Sequence, residues 1–293
     1  MKIINGGNDM ATFTNQATLT YNGTTTASNV VTGEILEVLS AQKNAVVDEY
    51  TAGDDITYVI SILNTGTTPL TGLTLTDNLG AYTFNTQTLT PLTYLEGSVR
   101  YYANGVLQAA PTVTATAPLT LTGLSVPAGG NAMILYEAVP NPYAPRAAGS
   151  TIINTATING TGITTAVTAS ETAAAAERAA LSINKAISPQ TVTENGTLTY
   201  TFTIQNSGNT AVTAADNAVI NDTFNPILSN LTVSLNGTPL TADTDYTYNQ
   251  TTGQFALTPG RITVPAAAYT QDAETGAWIT EPGVSILTIS GTV

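Results

Sequence analysis

The chain contains no cysteine and no histidine. The first absence removes any disulfide framework and any thiolate metal site. The second removes the commonest general base at neutral pH and the commonest metal ligand. Cations are scarce as well: seven Lys and Arg stand against 20 Asp and Glu, for a net charge of −13. With no basic patch, neither nucleic acid nor an anionic membrane surface is an expected partner. No run of 18 apolar residues exists, so membrane insertion is not expected. The opening MKIINGGNDM is too short and too polar for a secretory signal, and either Met1 or Met10 fits as the start. Neither a cofactor nor a metal is expected.

What is present is the vocabulary of short strands and tight turns. Hydrophobic residues reach 42% with charged residues at only 9%, a composition that folds. Thr, Val, Ile and Tyr recur, punctuated by 24 Gly and 14 Pro. Strand signals separated by turn residues return every eight to twelve residues or so, the spacing of antiparallel sandwiches. The expected fold class is all-β: two tandem Ig-like β-sandwich domains preceded by an N-terminal donor β-hairpin arm. The expected divisions are 1–33 for leader and arm, 34–172 for the first domain, 173–180 for a linker and 181–293 for the second domain. TAAAAERAA, Thr172 to Ala180, is the one helical candidate, with room for one or two turns.

The organisation rests on internal repetition. Lys43, Tyr58, Asn64 and Gly66 recur 142 positions later as Lys185, Tyr200, Asn206 and Gly208. With small gaps, Asn104-Gly105 matches Asn236-Gly237, Val126-Pro127 matches Val264-Pro265, and Ile134-Leu135 matches Ile286-Leu287. A second match is displaced. Ala11 to Thr32 aligns without gaps on Ser150 to Glu171, placing Asn15 on Asn154, Ala17 on Ala156 and Gly23 on Gly162. The Ser150 to Glu171 copy closes the first repeat, the second repeat has no such segment after it, and the Ala11 to Thr32 copy precedes both. In that arm Phe13, Asn15, Ala17, Leu19 and Tyr21 share one strand face, and Asn22-Gly23 is a hairpin turn leading to a second strand over 24–32.

Polar residues occupy inward positions at matching places. Lys43 is in register with Leu39 and Ala41, Lys185 with Leu181 and Ile183, Asp77 with Leu73 and Leu75, Asp222 with Ile220 and Phe224, and Asn154 with Ile152 and Ala156. Lysine is almost never buried alone. Two readings fit. One is a Lys–Asn isopeptide bond, in which burial yields a neutral amine and a protonated acid activates the amide. The other is a buried Lys–Asp ion pair hydrogen-bonded to Asn. On the first reading Asp77 and Asp222 are the catalytic acids, Lys43 and Asn154 bond within the first domain, and Lys185 bonds to Asn15 of another molecule. Phe13, Ala17, Leu19 and Tyr21 then make the polymer contact.

These residues carry a resemblance: an LxxxK start, Thr57-Tyr58, Asn64-x-Gly66, Thr76-Asp77 and a closing Asn154-Thr155-Ala156, repeated as Lys185, Thr199-Tyr200, Asn206, Gly208 and Asp222. The pattern resembles a bacterial surface repeat known as domain of unknown function 11, present as two copies. In short, duplicated form without a secretion signal it resembles the structural proteins of clostridial spore appendages. The lysine, acid and asparagine on early, middle and closing strands look like those of Gram-positive pilus and adhesin domains with isopeptide bonds. The displaced copy of the closing segment points to a structural subunit that self-assembles head to tail by donor-strand complementation, and the resemblance implies that the fibres stand on a spore or cell surface. Made in the mother cell and released by lysis, it would need no signal. The alternative is a surface adhesin, a glycan- or protein-binding module.

Weaker candidates are Asp54-Asp55, Asp243-Asp245 and Asp272-Glu274 as calcium loops, which read better as solvated turns. Trp278 near Tyr269 could form a sugar platform but reads better as a packed aromatic. No nucleophile elbow, phosphate loop or framed carboxylate pair appears. No enzyme is expected beyond autocatalytic bond formation.

Overall fold

A computed structural model describes residues 11–293, so the leader and both candidate start methionines lie outside the described residues. The structure is all-β, built as two sandwich bodies. One body ends at Asn141 and resumes over Ile152–Ala173; the other comprises Pro142–Thr151 and Ala174–Val293.

In the first body, one six-stranded sheet is ordered Val106–Leu107, Arg100–Ala103, Asn131–Pro140, Ile56–Asn64 and Leu39–Ala45, with Leu92–Tyr94 also paired to Asn131–Pro140. The other runs Thr112–Thr116, Leu119–Val126, Leu70–Asp77, Thr151–Asn159, Val167–Ala175 and Glu49–Tyr50. Strict alternation makes each sheet one-sided. Ile56, Tyr58, Ile60 and Ile62 are buried from the first sheet, and Leu73, Leu75, Leu121 and Ile158 from the second.

The second body repeats the first sheet. Leu181–Ser188, Thr197–Asn206, Gly283–Thr292, Ser229–Leu235 and Thr238–Pro239 lie side by side. Its second sheet has only three strands, ordered Asn221–Thr223, Gln254–Leu257 and Tyr246–Tyr248. An apolar core including Phe202, Phe224, Phe255, Leu287 and Ile289 fills the space between.

The repeated Asn-x-Gly corners explain themselves. Asn64 is fully buried and donates to the carbonyls of Thr68 (2.9 Å) and Pro127 (3.1 Å), while its Oδ1 accepts from Gly66 N (2.9 Å). Asn206 does the same with Thr210, Pro265 and Gly208. Gly208 carries no side chain because a Cβ there would collide with the backbone of Arg178 and Ala180. Asn104-Gly105 and Asn236-Gly237 are both left-handed turns whose Asn Oδ1 accepts a backbone N–H, from Asn131 and Ile286.

Three expectations are corrected. Thr172 to Ala180 is not helical: Val167–Ala175 is a strand, and Ala169, Ala173 and Ala175 are buried on one face, so tertiary burial overrides helix propensity. The only helix among the described residues is the 3₁₀ turn Ala214–Asp216. The match of Ile134-Leu135 to Ile286-Leu287 is off by one residue. Tyr58 pairs across its ladder with Tyr136, whereas Tyr200 pairs with Ile289, so Tyr136 corresponds to Ile289 and Ile134 to Leu287. Finally, the arm is two short ladders: Ala11–Asn15 pairs Val31–Ile35 and Thr18–Tyr21 pairs Thr24–Ala27. The Ser28 side chain takes the backbone N–H of Ala17 (3.0 Å), which interrupts the ladder between them.

Candidate functional site

The first body holds an ionic cluster between its two sheets. Leu39–Ala45 alternates, and its inward position 43 is a lysine whose side chain is fully buried. Lys43 Nζ donates to Asp77 Oδ2 of the opposite sheet at 2.5 Å and to the Tyr136 hydroxyl at 3.1 Å. It lies 4.7 Å from the centroid of the Tyr58 ring, which stacks on Tyr136 at 5.4 Å. The Tyr136 hydroxyl donates to the same Asp77 oxygen (2.8 Å) and accepts from Asn154 Nδ2 (2.8 Å). Asp77 Oδ1 accepts from Leu79 N (3.0 Å). Asn154 sits on the strand beside Asp77, two residues before Ala156, which pairs directly with Asp77.

The electrostatics suit amine chemistry. Burial pulls the Lys43 ammonium down from its ordinary 10.5 to about 8; Asp77 and Glu171 oppose that fall without cancelling it. Burial, then the Asp77 charge, push the Tyr136 phenol well above its usual value, and burial raises Tyr58 too. Within the cluster two buried polar atoms make no hydrogen bond, the Tyr58 hydroxyl and Asn154 Oδ1. An amine, a carboxylate and an amide thus converge in a buried site.

The structure therefore brings Lys43, Asp77 and Asn154 into one cluster. It also adds a residue that sequence reasoning passed over. Asp77 was expected beside the amide, but the Tyr136 hydroxyl stands between Asp77 and Asn154. The available signal was period two: Tyr136 shares the inward face of Asn131–Pro140 with Ile134 and Ala138.

The second body has half of this site. Lys185 Nζ binds Asp222 Oδ2, but the lysine and aspartate side chains are 39% and 18% exposed. The lysine packs on Tyr200 (4.4 Å to the centroid) and Phe224 (5.3 Å). Phe224 stacks on Tyr200 at 5.0 Å, where Tyr136 stacks on Tyr58. Every residue of Leu181–Ser188 is exposed, including Leu181, Ile183 and Ile187. Asn221–Thr223 pairs with Gln254–Leu257 along one edge, and among the described strands nothing pairs with its other edge. In the first body that other edge is taken by Thr151–Asn159. A groove of about 910 Å³ runs across this three-stranded sheet, lined by Asp222, Thr247, Tyr248, Gln254 and Phe255.

The arm carries its candidate residues outward. Phe13, Asn15, Ala17, Leu19 and Tyr21 are all exposed. The aligned counterparts of the first four, Ile152, Asn154, Ala156 and Ile158, are buried in the closing strand, whereas that of Tyr21 is Gly160, exposed just beyond it. Phe13 lies over Gly33, its cross-strand neighbour, where any Cβ would meet the ring.

The acidic turns are local caps. Asp54 Oδ2 accepts from Thr51 N and Oγ1 (2.8 and 2.6 Å), Asp272 Oδ1 from the backbone of Glu274 and Thr275, and Asp245 pairs with Arg261 at 2.9 Å. Among the described residues no group of three or more acidic side chains gathers as a metal site, and no helix is long and apolar enough to cross a membrane. Tyr269 donates to Ser207 O (2.7 Å), and Trp278 is half-buried with its indole N–H unpartnered.

No protein-family model and no curated protein matches the chain. Among solved structures it is similar to BcpA, the major pilin subunit of Bacillus cereus, at 12% identity and TM-score 0.36 over 92% of this chain and 73% of that one. A family 123 glycoside hydrolase from Clostridium perfringens matches at 10% identity and TM-score 0.32, over 48% of this chain and 27% of that one. The pilus backbone RrgB of Streptococcus pneumoniae matches at 11% identity and TM-score 0.33 over 83% of this chain, which spans little more than half (55%) of that one.

Proposed function

We propose that this protein is a structural fibre subunit that polymerises head to tail, each copy's arm completing the second body of the next by donor-strand complementation. The observation that carries the reading is a pair of complementary defects. Among the described residues the second body leaves the Asn221–Thr223 edge unpaired and its lysine strand exposed, while the arm aligned with the closing strand leaves its own apolar face exposed. Seated as Thr151–Asn159 sits in the first body, the arm would pair Ala17 with Asp222, bury Phe13 and Leu19, and bring Asn15 to Lys185.

In the first body the same geometry supports an isopeptide bond between Lys43 and Asn154; in the joint it supports one between Lys185 and Asn15. The protein has no substrate but itself on this reading, and the repeat pattern supports a place on a spore or cell surface. Negative-stain microscopy of purified protein, before and after boiling in detergent, tests it. Filaments that survive boiling, with a ladder of multimers on denaturing gels, are expected. A protein that stays monomeric at all concentrations would overturn the polymer, and filaments that melt to monomer would remove the intermolecular bond alone.

A further inference from the structure

We infer that Tyr136 is a catalytic residue of the Lys43–Asn154 reaction, the relay that carries a proton from Asp77 to the departing amide nitrogen. The inference rests on the cross-link reading above and adds a residue to it. The hydroxyl is the only group of the cluster that touches all three partners. It donates to Asp77 Oδ2 at 2.8 Å, accepts from Lys43 Nζ at 3.1 Å and accepts from Asn154 Nδ2 at 2.8 Å. No hydrogen bond joins Asp77 to Asn154: Oδ2 is engaged by Lys43 and Tyr136, and Oδ1 by Leu79 N.

Amide nitrogen is a poor leaving group until it is protonated, so the group that protonates it controls the reaction. Lys43 first passes one proton to Asp77 across their 2.5 Å hydrogen bond. The neutral amine then attacks Cγ of Asn154, forming the Nζ–Cγ bond and a tetrahedral intermediate. Tyr136 gives its proton to Nδ2 and takes the one held by Asp77; the Cγ–Nδ2 bond breaks, and the electron pair leaves with nitrogen. Of the three protons on the Lys43 ammonium, one stays on the new amide and one reaches Nδ2 through Tyr136. The third returns to Asp77 and departs with the ammonia as ammonium. No oxidant or cofactor enters.

The second body supplies a contrast within the same chain. The position opposite Tyr200 is Ile289, and Phe224 takes over the stacking role without a hydroxyl. Lys185 and Asp222 therefore lack the relay, and bond formation at the joint is the slower of the two reactions.

The test uses the full chain, refolded from denatured, unreacted material, with intact mass and the branched Lys43–Asn154 peptide followed over time. Wild type should lose about 17 Da at this site as ammonia leaves. Tyr136→Phe keeps the ring and should slow that loss at least 100-fold, the usual scale of a lost acid–base group. Fluorinated tyrosines at position 136 change phenol acidity with little change in volume, so the rate should follow acidity, which a packing role would not produce. A Tyr136→Phe protein that reacts within a few-fold of wild type overturns the relay and leaves the cross-link standing. If that variant fails to fold, a rate indifferent to fluorination overturns it instead. A wild type that never loses ammonia overturns the cross-link and the relay together.

Discussion

Asn64 and Asn206 are buried for structure alone, and each holds a corner of its body with four hydrogen bonds to backbone. Asn64→Ala should destabilise the first body by about 2 kcal/mol or more, because it strands the Thr68 and Pro127 carbonyls and the Gly66 N–H. Urea unfolding monitored on the first body measures it. Lys43 makes a different prediction, in a variant such as Asn154→Ala that cannot form the bond. Its folded pKa is about 8 against an ordinary 10.5, so between those values the unfolded chain binds more protons and stability rises with pH. The rise approaches about 3 kcal/mol. Above about pH 10 it reverses. The raised phenols of Tyr58 and Tyr136 contribute stability present below their unfolded pKa and lost as the unfolded tyrosines ionise. Urea midpoints from pH 7 to 11 should therefore pass through a maximum; a decline already at pH 9 would contradict the depressed lysine. The inward lysine, aspartate and asparagine were legible in the sequence, because period two assigns a face. Tyr136 was not, because periodicity says which side chains point inward and nothing about which of them meet across two sheets.

At the scale of elements, what the repeat pattern could see was conserved spacing, and what it missed was insertion and register. Seven positions separate Leu70 from Asp77, but ten separate their counterparts Val212 and Asp222. The surplus forms the 3₁₀ turn capped by Asp216 on Thr213 N (2.7 Å). The alanine-rich stretch misled for a related reason: alanine favours helix in isolation, yet small side chains also fit a crowded closing strand. The arm's Asn22-Gly23 turn was readable because type I′ geometry demands positive φ at both positions, and both have it (48° and 77°). The arm gives two predictions. Deleting residues 1–32 should leave both bodies folded and abolish filaments, and a synthetic arm peptide should then bind the second body. Filaments from the truncated protein would rule out strand donation. Asn15→Ala should still polymerise, with filaments that fall to monomer in hot detergent.

For the whole molecule, strand donation from the arm before the first body to the open edge of the second body of another copy would be a heterologous contact. Repetition of such a contact gives an open chain unless the rotation happens to close a ring. A joint that buries two strands would reach roughly 2,000 Å² or more, the range of obligate interfaces, and should hold without covalent help. Filament length should then depend on concentration and respond to added arm peptide as a chain terminator, which dynamic light scattering can follow.

The convergence of Lys43 and Asn154 on the Tyr136 hydroxyl also has a mechanical meaning. One lies on the first strand of its body and the other on the closing strand, so a covalent link there would short-circuit the intervening 110 residues, 44 to 153. A pulling force would pass from strand to strand through the bond and never reach the loop it closes. At about 3.4 Å per extended residue, roughly 370 Å of slack would be withheld from each first body. In single-molecule stretching the first body should give no unfolding step of that length, while Lys43→Ala restores it. A fibre made this way would be stiff at every first body under any load that spares covalent bonds.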